Sequence, residues 1–458
     1  VNTKGAGSPF AKLAVLGGGL LGALGIGAMQ AGMTLPPIII PLALAVLAGL
    51  WRFNEITILI LQDYLSLVTT PISWYVTLPD IPMSLPFVAI WAIAATWRHV
   101  SGKDKLTVSW GLILHLLLAA LIVLNYITFA EHTPYATTKF FLIMTLNIAS
   151  FLGGATLSRE QLARVFYWMM GLGLIVALLT YQAYAMGDPT MLGRYSALKM
   201  NPIWTCRLAI LGAFATLVAL RDKRWGLVYL VAIFPVVLLT GSRGPLVAAI
   251  LSGGIMGALW WVSPRRERTI PKKANLVSLG LAAMILQALL TIAPAFAQET
   301  RSLTEGGTAS SRMEFYVKAL EGFSENMLLG VGLGGFEALV SYAEVGEEIR
   351  FPHNIFLEVA VELGIFGLGL FVAIILHYFW LALKNIRYAR LNPEEPSAGW
   401  GIGATLGFVN LMVAAQFSGD LVTNHALWYF MGLMTRVETM RRMSEDAVFP
   451  DNGEKIRV

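Results

Sequence analysis

The sequence predicts an all-α protein, a polytopic bundle of transmembrane helices with a small extracytoplasmic helical cap. Three observations lead there. Of 458 residues, 56% are hydrophobic and only 13% are charged, about half the charged share of an ordinary soluble protein. Apolar stretches recur from end to end, most of them near the roughly 20 residues a helix needs to cross a bilayer. The runs are continuous, without the period-two alternation of a transmembrane β-barrel.

Taken in order, the expected spans are 13–30, 36–51, 54–69, 82–98, 106–130, 137–157, 164–186, 203–220, 225–240, 244–262, 275–297, 354–383, 398–418 and 421–437. The second and third are short and adjacent. One broken or re-entrant element there would reduce the total from 14 to 12, and either number puts both termini on one side. The first run begins near Lys12, and no A-x-A cleavage site follows it before the next apolar run, so it reads as a retained span. Cys206 is the single cysteine, which rules out an intrachain disulfide.

Basic residues choose the orientation. With the N-terminus cytoplasmic, 24 of the 33 Lys and Arg fall inside. Nine fall outside: Lys139, Arg194, Lys199, Arg207, Arg243, Arg301, Arg312, Lys318 and Arg350. The chain then divides into an N-terminal transmembrane bundle (1–297), an outer loop or cap (298–353), C-terminal transmembrane helices (354–437) and a cytoplasmic tail (438–458). In the cap, Met313, Tyr316, Val317 and Leu320 recur at helical spacing, as do Phe336, Leu339 and Val340. Two amphipathic helices are therefore expected around the turn "GVGLGG".

Polar residues collect at the outer ends of the spans. "GRYSALKMNPIWTCR" carries Arg194, Lys199, Asn201 and Arg207. "LTGSRGP" carries Arg243 between two glycines. Arg312 opens a cap helix, and "PHN" presents His353 and Asn354 at the start of a span. An arginine fork donates two parallel charge-assisted bonds and stays protonated, which suits a phosphate or diphosphate. Pairing with loop acids or snorkelling to head groups is the simpler reading for Lys199, Arg207 and Arg350. A neutral imidazole at a helix N-terminus can accept a proton from an attacking hydroxyl. Glu358 and Glu362 share one helix face. They can pair the loop arginines, accept from a sugar hydroxyl or line a wet seam. Asp420 and Asn424, in "SGDLVTNHALW", are further candidates. Asn354, Glu358, Lys199 and Asn201 are expected to line or support the site. No phosphate-binding loop, dinucleotide fingerprint, zinc-spaced cluster or D-x-D pair is present, so neither metal nor cofactor is expected.

"HNIFLEVAVELGIFG" fits the spacing H-N-x9-G-x-x-G, ending at Gly364 and Gly367. Together with "TGSRGP", "SSRMEFYVKAL" and "LLGVGLGGF", it resembles the bacterial O-antigen ligases and their relatives, the O-antigen polymerases and certain protein O-oligosaccharyltransferases. The resemblance runs from about residue 194 to 437. It implies an inner-membrane glycosyltransferase of the GT-C type that is metal-independent and inverting. The implied donor is an undecaprenyl diphosphate-linked glycan, and the acceptor is lipid A–core at the periplasmic face. The partners are these lipids and the bilayer, with no nucleic acid. His353 would be the base, and Arg243, Arg312 and, less directly, Arg194 would bind the diphosphate. A polymerase or a protein-directed transferase shares the same motifs. A lipid-linked glycan transporter is the alternative of a different class.

Overall fold

The computed structural model describes residues 54–60, 84–100, 108–190, 194–220, 225–262, 308–340 and 351–448. Every regular element among them is helical. The expected spans 13–30, 36–51 and 275–297, and most of 54–69, lie outside these residues. In chain order the helices are α1 (Asn54–Leu59), α2 (Ser84–Val100), α3 (Trp110–Thr128), α4 (Pro134–Leu142), α5 (Ile148–Ala155), α6 (Arg159–Ala185), α7 (Pro202–Ala219), α8 (Trp225–Leu239), α9 (Arg243–Val262), α10 (Thr308–Glu325), α11 (Phe336–Leu339), α12 (Ile355–Leu391), α13 (Pro396–Ala414) and α14 (His425–Val448). A π-helical turn, Ile143–Asn147, joins α4 to α5 into one span.

Six of these helical segments are long and apolar enough to cross a bilayer: α3, α4 with α5, α6, α7, α12 and α13. The protein is thus a polytopic membrane helical bundle. Local sequence fixes where these helices begin. Ser109 caps α3 by accepting from the Leu112 N–H at 3.2 Å. Thr133 caps α4 just before Pro134. Ser158 and Gln161 form a reciprocal capping box on α6, which satisfies two backbone donors left over at the helix end. Small residues then set the crossings. Gly173 of α6 faces Gly212 of α7 so closely that a Cβ on either would meet the other's Cα at 2.9 Å. Such contact is how helices approach where lipid supplies no hydrophobic driving force.

Two expectations need correction. The run 354–383 is not one continuous helix. α12 breaks at Gly364 (φ 66°, ψ −163°), a conformation essentially reserved for glycine. The gap is filled by the chain at 327–333, which lies against it. The Val331 and Gly332 N–H groups donate to the carbonyls of Val361 and Glu362 (2.8 and 3.1 Å), and the Ile365 N–H donates to the Met327 carbonyl (2.8 Å). Asn125 of α3 completes the plug. It donates to the carbonyls of Leu329 (2.9 Å) and Glu362 (3.3 Å) and accepts from the Leu333 N–H (2.8 Å). Broken backbone at this depth is tolerated where the groups it frees find partners, as those of Val361, Glu362 and Ile365 do here.

The second correction concerns the buried face of α10. Met313, Val317 and Leu320 are exposed, while Phe315 and Ala319 are buried with Phe336 and Val361. The apolar spacing was right for a helix but chose the wrong side. Gly322, invisible to an apolar count, lies on the packed face against Leu339 and Val361.

Just before the break, on its mouth side, lies a buried ion cluster. Lys139 of α4 reaches Glu358 at 2.5 Å and Glu362 at 2.7 Å. All three are essentially inaccessible. Glu358 also accepts the Leu421 N–H at 2.9 Å, and Tyr135 donates to Asp420 at 3.3 Å. The two acids at i and i+4 thus share one cation from another span.

Lys139→Met strands two buried carboxylates and should cost about 3–5 kcal/mol, read as a lower midpoint of thermal unfolding in detergent. Adding Glu358→Gln and Glu362→Gln should restore most of the loss. Gly364→Ala should cost about 1–3 kcal/mol from its backbone conformation alone, and more because its Cβ would strike the Leu328 carbonyl. Gly369→Ala, where an added Cβ meets nothing within 4 Å, should leave the midpoint nearly unchanged.

Candidate active site

The site forms where four elements meet the irregular segment 415–424 between α13 and α14. The Ile355 N–H, at the start of α12, donates to the Ala415 carbonyl at 3.1 Å. Tyr316, one turn beyond Arg312 on α10, donates to the Gln416 carbonyl at 3.3 Å. Gly244, next to Arg243 at the start of α9, presents an open position 3.5 Å from the Phe417 Cβ. Arg207 of α7 donates to Asn424 Oδ1 (3.0 Å) and to the carbonyls of Ala414 (3.2 Å) and Ser418 (3.0 Å). The elements carrying Arg243, Arg312 and His353 therefore converge on three consecutive residues, Ala415–Phe417.

His353 sits between buried Pro352 and the helix cap. Its backbone is left-handed, φ 57°, which is uncommon for a side-chain-bearing residue and a frequent mark of function. Asn354 explains how that conformation ends. Its Oδ1 accepts from the Phe356 and Leu357 N–H groups at 3.0 and 3.2 Å, so it serves as the N-cap of α12. The imidazole lies edge-on to Phe351, with ring centroids 4.7 Å apart, and is tilted against Phe315. Its Nδ1 is buried, with no hydrogen-bond partner among the described residues. Burial first, and then the positive field of Arg312, pull its pKa down to about 4, against a smaller opposing pull from Asp420. At neutral pH the ring is an uncharged base.

The arginines divide by what they hold. Arg194 Nε donates to the Thr240 carbonyl (2.8 Å), and its Nη2 donates to Ser242 Oγ (2.7 Å). It clamps the turn that presents Arg243. Burial pulls its pKa below the ordinary arginine range, and the neighbouring Arg243 charge pulls in the same direction. Arg243 is the first residue of α9, where the helix dipole adds positive potential.

Other expected residues have structural partners of their own. Lys199 is exposed and pairs with Asp188 at 3.0 Å. Asn201 is exposed and caps α7 by accepting from the Ile203 N–H at 2.9 Å. Glu358 is buried in the Lys139 cluster. Among the described residues, no group of three or more His, Cys, Asp or Glu side chains has the arrangement to hold a metal ion.

The sequence reading missed Lys139 as the partner of both glutamates and Asn125 as the plug of the helix break. A lysine or asparagine inside an apolar span was the available signal. The partner of each lies more than 200 residues away.

Comparison with known proteins fits this geometry. Residues 227–372 match the family model described as O-Antigen ligase. This stretch contains Arg243, Arg312, His353 and the break at Gly364. An O-antigen ligase from Pseudomonas aeruginosa is 32% identical over 271 residues, covering 55% of this chain and 61% of the relative. The match therefore spans less than two thirds of the relative's length. The motifs, the matched segment and the helical bundle thus agree in likening this chain to the O-antigen ligases.

Proposed function

We propose that this protein is a membrane glycosyltransferase of lipopolysaccharide assembly. It would transfer a glycan from undecaprenyl diphosphate to lipid A–core at the periplasmic face of the inner membrane. The observation that carries this reading is the junction at Ala415–Phe417. There the start of the helix that follows His353 meets the elements bearing two arginines, at one end of a membrane bundle.

The chemistry follows from these groups. The acceptor hydroxyl gives its proton to His353 as its oxygen attacks the anomeric carbon of the donor. The bond from that carbon to the diphosphate oxygen breaks, and undecaprenyl diphosphate leaves. Attack comes from the side opposite the leaving group, so configuration inverts. Arg243 and Arg312 stabilise negative charge as it grows on the diphosphate, where fixed charge is most effective. The leaving group is already good, so neither a strong acid nor a metal is required. Arg194 acts one step back, by holding the turn that presents Arg243.

A related reading keeps the donor and changes the acceptor to a second lipid-linked glycan or a protein. The test is transfer in vitro with purified protein, a labelled lipid-linked donor and each acceptor in turn. Transfer to lipid A–core, with inversion and undiminished in EDTA, is the expected result. Transfer only to a second donor molecule would reassign the protein as a polymerase.

His353→Ala should lower the rate by about 10²–10⁴-fold without abolishing donor binding. Arg243→Ala should weaken donor binding as well as the rate, and Arg243→Lys should rescue it only in part, because lysine lacks the fork.

The pH dependence should carry the signature of the depressed imidazole. The base works when deprotonated, and its pKa in the free protein is about 4 rather than 6.5. Hence kcat/KM should stay flat from neutral pH down to about 5, then fall. Bound diphosphate offsets the Arg312 charge, so the acid limb of kcat should lie at higher pH than that of kcat/KM. An inflection of kcat/KM near 6.5 would contradict this environment for His353.

A further inference from the structure

At the end of the bundle remote from His353, the structure opens a second cleft of about 630 Å³. It lies between the start of α3, the second half of α12 and the middle of α14. On α12, Trp380 falls fifteen residues beyond Ile365, about 22 Å along the helix axis. The cleft is therefore separate from the site already described. By the asymmetry of Lys and Arg it lies at the inner leaflet.

Its walls combine two chemistries. Trp110 and Trp380 are 70% and 47% exposed, on the rim where amphipathic aromatic rings mark a membrane interface. The polar side carries Glu438 and Arg442, and Lys384, just outside that lining, pairs with the same acid. Lys384 Nζ lies 2.9 Å from Glu438 Oε1. Arg442 Nη2 approaches the same oxygen at 3.0 Å, and its Nε does so at 3.1 Å. One carboxylate oxygen thus gathers two cations and neutralises only one of them. Lys384 also lies 3.9 Å over the ring of Trp380, which lines the cleft. His377, Ser109 and Thr439 line the same cleft. Just before Val108 the chain carries Lys103 and Lys105.

We propose that this cleft binds an anionic membrane phospholipid. The phosphodiester would lie against Lys384 and Arg442, and an acyl chain would lie along the Trp110 and Trp380 wall. An excess positive charge in a polar recess, open toward an apolar aromatic rim, matches a group that is anionic at one end and hydrocarbon at the other. A zwitterionic lipid would bring its own cation into the same recess and lose the advantage. Basic recesses between transmembrane helices at the inner leaflet favour anionic head groups for this reason.

The test uses the full chain, purified in detergent and titrated with phosphatidylglycerol or with phosphatidylcholine of identical acyl chains. Bound lipid is counted by native mass spectrometry. The wild type should retain phosphatidylglycerol preferentially. Lys384→Ala with Arg442→Ala should weaken that binding on the order of tenfold and leave phosphatidylcholine unchanged. Glu438→Gln provides the opposite arm. It removes the competing acid and should tighten phosphatidylglycerol binding, so the inference stays testable if the double variant fails to fold. Equal retention of the two lipids by the wild type would overturn the proposal. So would indifference of a folded double variant, or weaker binding by Glu438→Gln.

Discussion

Irregular backbone held inside a membrane bundle is the constraint on which the rest of this structure depends. Between α13 and α14 the chain runs without regular structure from Ala415 to Asn424, and in hydrocarbon each unsatisfied amide or carbonyl costs several kcal/mol. The segment survives because distant side chains answer it one by one. Arg207 takes the carbonyls of Ala414 and Ser418 and the amide oxygen of Asn424. Leu421 is held at both backbone atoms, its N–H by Glu358 and its carbonyl by Asn147 at 2.9 Å. Lys139 in turn fixes Glu358. The buried ammonium therefore does more than neutralise two acids. It anchors the carboxylate that anchors the loop met by the elements carrying Arg243, Arg312 and His353.

This arrangement separates positioning from chemistry among groups of the same type. Arg207 and Arg194 both spend donors on backbone carbonyls, and each stabilises a turn next to the site. Arg243 and Arg312 stand in the first two turns of their helices, at the mouth. Asn354 and Asn201 likewise carry capping bonds. Substitution of any capping or clamping residue would disturb activity through geometry. Loss of activity alone is thus a weak guide to which side chains meet substrate.

How much of this was legible in the sequence differs by level. The spans were, because each needs only a local apolar run. Helices 110–128, 159–185 and 202–219 fall within a few residues of the stretches their hydropathy marked. The mouth residues were partly legible, because Gly-Ser-Arg-Gly and Pro-His-Asn are short signals that carry their own backbone logic. The break at Gly364 was not. The pattern through "ELGIFGLGLF" is as apolar after the glycine as before it, and only the chain at 327–333 decides that the helix must open. The Lys139 pairing escaped for the same reason, since a shared counterion is fixed by tertiary contact and leaves no periodicity. The buried face of α10 was misread because exposed Met313, Val317 and Leu320 satisfy the same i, i+3, i+4 rule as a core-facing stripe.

A transporter reading would look first to the ionisable groups deepest in the bundle, since charge at that depth often marks a conduction path. Here those groups are committed to fixed contacts. Lys139 is shared by two carboxylates, Glu358 also holds a backbone amide, and the carbonyl of Glu362 is tied to the plug through Asn125 and Gly332. Moving any of them would unfasten the helix break and the loop together, which suits a rigid frame better than an alternating one. At the mouth lies an imidazole with its Nδ1 unpartnered among the described residues, beside the elements that carry Arg243 and Arg312. Transport needs a charge that travels, whereas transfer of a glycan from a diphosphate needs charges that stay in place while the substrate's charge develops. The fixed contacts of Lys139, Glu358 and Glu362 fit the second requirement better than the first.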